Sequence, residues 1–268
     1  MPTHNFPLDG PINLLVRIAH GSVTVETADD LAEAQVVLDA GKHTGDLLEQ
    51  TVVAMNGRTL TVTAPRQGGI FDLPVFGRRA SGGLAVRVLV PTGTAVKIST
   101  FTAPIWITGD IGGADLAFGS GEAAVRHVDG DLRLRYGNGT AKAVEVTGSV
   151  QLRSGSGSAK FGTIGGGLTA GCGSGDLEVR VVHGAVRSRC GSGAAVLHEV
   201  HGDVDVASGS GGLEIGLPSG LSAKLDLHTG SGQVRSELPI EDHPKVAEGS
   251  ITLRARTGSG DVRLFRAA

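Results

Sequence analysis

A glycine pair around one small polar residue returns every eighteen residues: Gly119-Ser120-Gly121, Gly137-Asn138-Gly139, Gly155-Ser156-Gly157, Gly173-Ser174-Gly175, Gly191-Ser192-Gly193 and Gly209-Ser210-Gly211. A second glycine keeps the same step at Gly112, Gly130, Gly148, Gly166, Gly184 and Gly202. A short fixed period means one supersecondary unit stacked on copies of itself, with residues one period apart as neighbours.

The columns between the glycines alternate in polarity. Ala123, Ala141, Ala159, Leu177, Ala195 and Leu213 share one column, and Val125, Ala143, Phe161, Val179, Leu197 and Ile215 share the next but one. Val128, Val146, Ile164, Val182 and Val200 follow, then Leu132, Val150, Leu168, Val186 and Val204, and then Leu134, Leu152, Ala170, Ser188 and Val206. Charged or polar residues lie between them, and a period of two marks strands with one buried face. Each unit therefore holds two short strands joined by glycine corners that allow tight backbone approach. Stacked in parallel, the units predict an all-β fold: a single-stranded parallel β-solenoid, a β-helix or β-roll, with 18-residue turns. A left-handed hexapeptide helix fails, because its third apolar column would hold Glu122, Thr140, Ser158, Asp176 and Ala194. A calcium-loaded β-roll fails too, since no unit carries the Gly-Gly-x-Gly-x-Asp nonapeptide.

The register extends backward through Val96, Ile98 and Thr100, then Ile105 and Ile107, with Phe101-Thr102-Ala103-Pro104 at the corner in place of the triplet. Residues 1–93 read as a β-rich cap, with strands at Leu14-Val16-Ile18, Val23-Val25, Gln35–Leu38, Leu60-Val62 and Leu84–Val90 and one or two helical turns over Thr44–Gln50. Residues 94–268 read as the repeats, the two regions forming one continuous domain. The spacing stretches from Gly209 to Gly230 and then to Gly258, and Pro239 and Pro244 in the longest insertion suit a covering loop at an edge.

Three groups of residues resemble a known family: Val90-Pro91-Thr92-Gly93-Thr94 entering the repeats, corners of the type Gly173 to Leu177, and the ending Thr257-Gly258-Ser259-Gly260-Asp261-Val262-Arg263. Together they resemble the bacterial "putative adhesin" family of β-strand repeats, the toast-rack domain, over about Phe6 to Arg266. The resemblance implies a β-solenoid without assigned catalytic residues. It also implies an association with bacterial envelope-stress systems, in which some members are fused to membrane segments. A soluble interaction or sensing module fits it.

Composition narrows the function. Aromatic residues make up 3% of the chain and the formal charge is −3, so no general attraction to nucleic acid is expected, and single-stranded nucleic acid would lack its stacking platform. No apolar run is long enough to span a membrane. The start Met1-Pro2-Thr3-His4-Asn5-Phe6 lacks the regions of a signal peptide, which predicts a cytoplasmic protein.

Four constellations carry chemistry worth testing. Arg133, Arg135, Arg153, Arg187 and Arg189 fall in outward columns of the second strand and would form a basic stripe. Such a stripe suits an acidic protein surface, a phosphate-bearing polymer or a carboxylated glycan, or else is a solvated face whose charges block edge pairing. Lys142 and Lys160 alternate with Glu178 and Glu214 on the other wall. Cys172 and Cys190 stack one period apart in an inward column, as buried thiols or as a disulfide. His183 and His201 stack beside Glu199, Glu145 and His198, as a divalent-metal cluster or as solvated corner histidines.

Asp110, Asp115, Asp129, Asp131, Asp203 and Asp205 are scattered without a facing partner, and Gly-Ser-Gly is neither a nucleophile elbow nor a phosphate loop. The expectation is a non-enzymatic binding or scaffold module with no cofactor and no metal, acting on a protein or acidic polymer, with a partner or sensor role in a bacterial envelope-stress or signalling system as what the resemblance implies. The alternatives are a self-assembling, adhesin-like protein that stacks end to end into homo-oligomers and, last, a polysaccharide-acting β-helix enzyme.

Overall fold

The computed structural model describes residues 2–40, 45–65, 83–238 and 250–267. Pro239, Pro244 and Thr44 fall outside them. The described chain is almost entirely strand and forms two compact units, 1–129 and 130–268.

The first unit contains β1 (Thr3–Pro7), β2 (Asn13–Ala28), β3 (Glu33–Ala40), the short α1 (Gly45–Gln50), β4 (Val52–Asn56), β5 (Thr59–Thr63), β6 (Leu84–Pro91), β7 (Ala95–Thr102), β8 (Ile105–Ile111) and β9 (Gly113–Val128). The predicted Leu14, Val16, Ile18, Val23 and Val25 lie on β2 and are buried. The expected eighteen-residue register holds where β7 and β8 meet β9: Val96 pairs with Ala114, Ile98 with Leu116, Ile105 with Ala123 and Ile107 with Val125. At the irregular corner Ala103 is buried while Phe101 points outward, 66% exposed.

An entirely parallel sheet, however, is not what forms. β1 pairs antiparallel with β3, β3 with β6, and β4 with β5. Short antiparallel connections let an edge of the parallel ladder be closed without a crossover. The β4–β5 hairpin turns at Gly57, whose φ of 56° favours glycine. The order of stacking also departs from chain order: β2 lies between β5 with β6 on one side and β7 with β8 on the other.

The second unit contains β10 (Leu132–Val146), β11 (Val150–Ile164), β12 (Leu168–Ser174), β13 (Leu177–Val182), β14 (Val186–Ser192), β15 (Ala195–Val200), β16 (Val204–Ser210), β17 (Leu213–Leu217), β18 (Ser222–Ser231), β19 (Val234–Ser236), β20 (Ser250–Ser259) and β21 (Val262–Arg266). Register partners are eighteen residues apart and parallel from Leu132↔Val150 to Leu197↔Ile215. Each rung from β12 to β17 is two strands, as the period implies. β10 and β11 instead run through the corner as single long strands, because Asn138 pairs with Ser156 and Gly139 with Gly157 across it.

The inward columns are buried as their alternation requires: Leu134, Leu152, Ala170, Ser188 and Val206 in one, Val146, Ile164, Val182 and Val200 in another. Each such Val or Leu contributes on the order of 1.5–3 kcal/mol, and this burial holds the thin core. The glycine corners are required by the stacking itself. A Cβ on Gly184 would lie 2.6 Å from the Gly166 carbonyl oxygen, and Gly193 has a φ of 131° with its Cβ position overlapping the Gly175 carbonyl.

Candidate functional site

The second-strand wall of the second unit carries the predicted arginines. Arg133, Gln151, Thr169, Arg187, Asp205 and Arg254 occupy one outward column, and Arg135, Arg153, Gly171, Arg189, Ala207 and Arg256 the next but one. Neighbouring rungs in such a ladder are about 4.8 Å apart. Arg133, Arg135, Arg153, Arg187 and Arg189 are all exposed, so the alternation aims every one of them outward. The stripe is nevertheless interrupted, because β12 supplies Thr169 and Gly171 where arginine would continue it. It also extends further than the sequence suggested. Arg254 and Arg256 stack directly on Asp205 and Ala207, a juxtaposition hidden by the broken period.

The charges divide along the wall. Arg189 donates to the Asp205 carboxylate at 2.7 Å and, through its other terminal nitrogen, to the Asp205 carbonyl at 2.9 Å. The guanidinium hydrogen bond holds the Asp205 carboxyl below the usual carboxylate range. Arg256 and Arg254 reach Asp226 at 2.9 and 3.8 Å. Arg133 donates to the neutral Gln151 amide at 3.2 Å. Among the described residues, no carboxylate lies within ion-pair distance of Arg133, Arg153 or Arg187. A groove of about 610 Å³ runs across the wall, lined by Gln151, Thr169, Arg187, Asp203, Asp205 and Arg254 among others.

The other wall is neutralised. Lys160 meets Glu178 at 2.6 Å, His198 lies 3.6 Å from the same carboxylate, and Arg263 pairs with Glu237 at 2.8 Å while lying over the Phe265 ring. The Lys160 ammonium lowers the Glu178 pKa.

Cys172 and Cys190 are register partners on adjacent rungs, both buried and both free thiols. Above them in the column stands Tyr136, whose hydroxyl donates to the Ser158 carbonyl at 2.9 Å and whose pKa burial pushes up to about 12. The His183 and His201 rings stack at 4.9 Å, and Glu199 lies 2.8 Å from the His201 ring. Glu145 does not join them, because Thr163 and Val181 occupy the two rungs between it and Glu199. Among the described residues no three His, Cys, Asp or Glu side chains are placed to hold one metal ion.

The aspartates have structural partners that the sequence did not show. Asp131 accepts the Ser149 amide at 2.8 Å, Asp176 that of Ala194 at 2.9 Å, Asp203 that of Thr252 at 2.7 Å and Asp261 that of Gln233 at 2.9 Å. These carboxylates satisfy backbone donors of the adjoining rung at the corners. Asp115 pairs with Lys97 at 3.3 Å. No helix among the described residues is long and apolar enough to cross a membrane.

Among known proteins, the chain is similar to a "putative adhesin" of Bacteroides fragilis, with 14% identity, 98% of this chain and 96% of that one covered, and a TM-score of 0.42. It is similar to a "putative adhesin" of Parabacteroides merdae, with 13% identity, 98% and 95% covered and a TM-score of 0.44. A "putative lipid binding protein" of Parabacteroides distasonis shares 14% identity over 98% and 96%, with a TM-score of 0.42. Likenesses this distant transfer no ligand. No curated protein matches the sequence. The family model described as Toastrack DUF4097 matches residues 13–267, nearly the whole chain, and the protein belongs to that family.

Proposed function

We propose that this protein is a non-enzymatic β-solenoid binding module whose second-strand wall engages an anionic partner, an acidic protein surface or a polymer bearing phosphate or carboxylate groups. The observation that carries the reading is the ladder of exposed guanidinium groups with Arg133, Arg153 and Arg187 lacking a carboxylate partner among the described residues. Planar guanidinium forks on a rigid sheet present paired donors to carboxylate or phosphate oxygens without an ordering cost in the backbone. The short corners and the engagement of Asp131, Asp176, Asp203 and Asp261 with backbone amides favour binding over catalysis. The family's implied association with envelope stress makes a sensor or adaptor role the natural setting. Two adjacent thiols left unbridged suit a reducing compartment such as the cytoplasm.

Replacing Arg133, Arg135, Arg187 and Arg189 together by serine tests the reading, with polyglutamate and polyphosphate as probes. The expected result is an intact fold by circular dichroism with binding lost. Binding that survives the four substitutions unchanged overturns it.

A further inference from the structure

The second unit ends on a rung that is out of chain order. β16 pairs with β20, and β20 in turn pairs with β18, so residues 222–236 form the outer rung. Among the described residues, β18 pairs with β20 alone and β19 with β21 alone. The edge of β18 left unpaired among the described residues is a full strand without proline, the kind of edge that templates pairing unless guarded. Its core-facing side chains are also less covered. Leu225 and Leu227 are only half-buried and Val234 is 44% exposed, whereas their neighbours Leu253, Ala255 and Val262 are fully buried.

We propose that a second copy of this chain adds to this edge, β18 to β18, antiparallel about a two-fold axis at Leu225. The strand is self-complementary in that register. Lys224 of each copy lies opposite Asp226 of the other, giving two symmetry-related ion pairs on the outward face beside the bond that Asp226 already accepts from Arg256 of its own chain. On the inward face Leu225 meets Leu225 and Leu227 meets Ala223. Centring one residue away on Asp226 or on Lys224 sets like charges opposite each other, which disfavours the pair. An odd-numbered slip places Leu225 beside a charge and turns one apolar face toward solvent. The occupant is thus another copy rather than an unrelated strand, and the interface is isologous and closed. This pairing is independent of the anion-binding reading, because none of Arg133, Arg135, Arg153 or Arg187 takes part.

Light scattering after size exclusion, backed by sedimentation, tests the proposal on the full chain. The wild type is expected at twice 27.2 kDa, dissociating on dilution. Lys224→Asp opposes Asp226 at both symmetric positions and is expected to weaken the dimer by about tenfold or more. Lys224→Arg keeps the opposite charge and is expected to keep the dimer while leaving Asp226 on Arg256 and Arg254, and circular dichroism confirms that each variant is folded. A wild type that stays monomeric up to its solubility limit overturns the proposal, as does a dimer indifferent to Lys224→Asp or lost in Lys224→Arg. A monomer that dimerises only after residues 239–249 are deleted overturns it as well, by showing that the chain covers its own edge.

Discussion

Arg189 spans one rung to Asp205, its guanidinium donating to both the carboxylate and the carbonyl of that residue. The pair cancels a positive charge within the arginine ladder, so under the proposed function Asp205 would weaken anion binding there.

Asp205→Asn is accordingly expected to raise affinity for polyphosphate several-fold while costing about 0.2–1 kcal/mol of stability, the range for a solvent-screened pair. The depressed native pKa of Asp205 means that its contribution is present above its ordinary value of 3.8 and is lost as pH falls through the native value. Urea denaturation of both proteins should therefore show a gap at neutral pH that closes in acid.

Tyr136 is the chain's single tyrosine, so phenolate absorbance reports it alone. A native titration should show its midpoint at about 12, raised from 10.0 by burial. The native phenol keeps its proton while the unfolded one ionises. Stability from this group is therefore full below pH 10 and is lost as pH rises toward about 12. A native midpoint near 10 would show the Tyr136 column open to water.

The glycine triplet divides into required and dispensable positions. Gly193→Ala forces a side chain into a positive φ and onto the Gly175 carbonyl, and should cost about 1–3 kcal/mol. Ser192→Ala removes only an exposed hydroxyl and should change stability by less than about 0.5 kcal/mol. Chemical denaturation of the two variants side by side measures the difference.

The period made the neighbour map legible wherever it was unbroken. Cys172 over Cys190, His183 beside His201 and Arg135 beside Arg153 follow from the step of eighteen, and alternation told inward from outward in each strand. The antiparallel β1, β3 and β4 were not legible as such, because pairing direction leaves no mark in a short apolar alternation. The order of the last rungs was missed for a different reason. Two glycine triplets, at Gly230 and Gly258, could each follow Gly209. The inward residues after each triplet hold the answer: Val262 and Leu264 need covering on both sides, whereas Val234 and Ser236 tolerate an outer position. Arg254 and Arg256 would have joined the ladder on that criterion.

Gly171 gives the most direct test of the binding wall. It pairs with Arg153 on one side and Arg189 on the other, and a Cβ built there meets nothing within 4 Å. Gly171→Arg puts an arginine in the gap in the ladder, and its Cβ meets no neighbour. Polyphosphate affinity, measured at one ionic strength by calorimetry, should rise in the order of the four-serine variant, the wild type and Gly171→Arg, with the spread shrinking as salt is added. Equal affinities across the three proteins would contradict the assignment of anion binding to this wall.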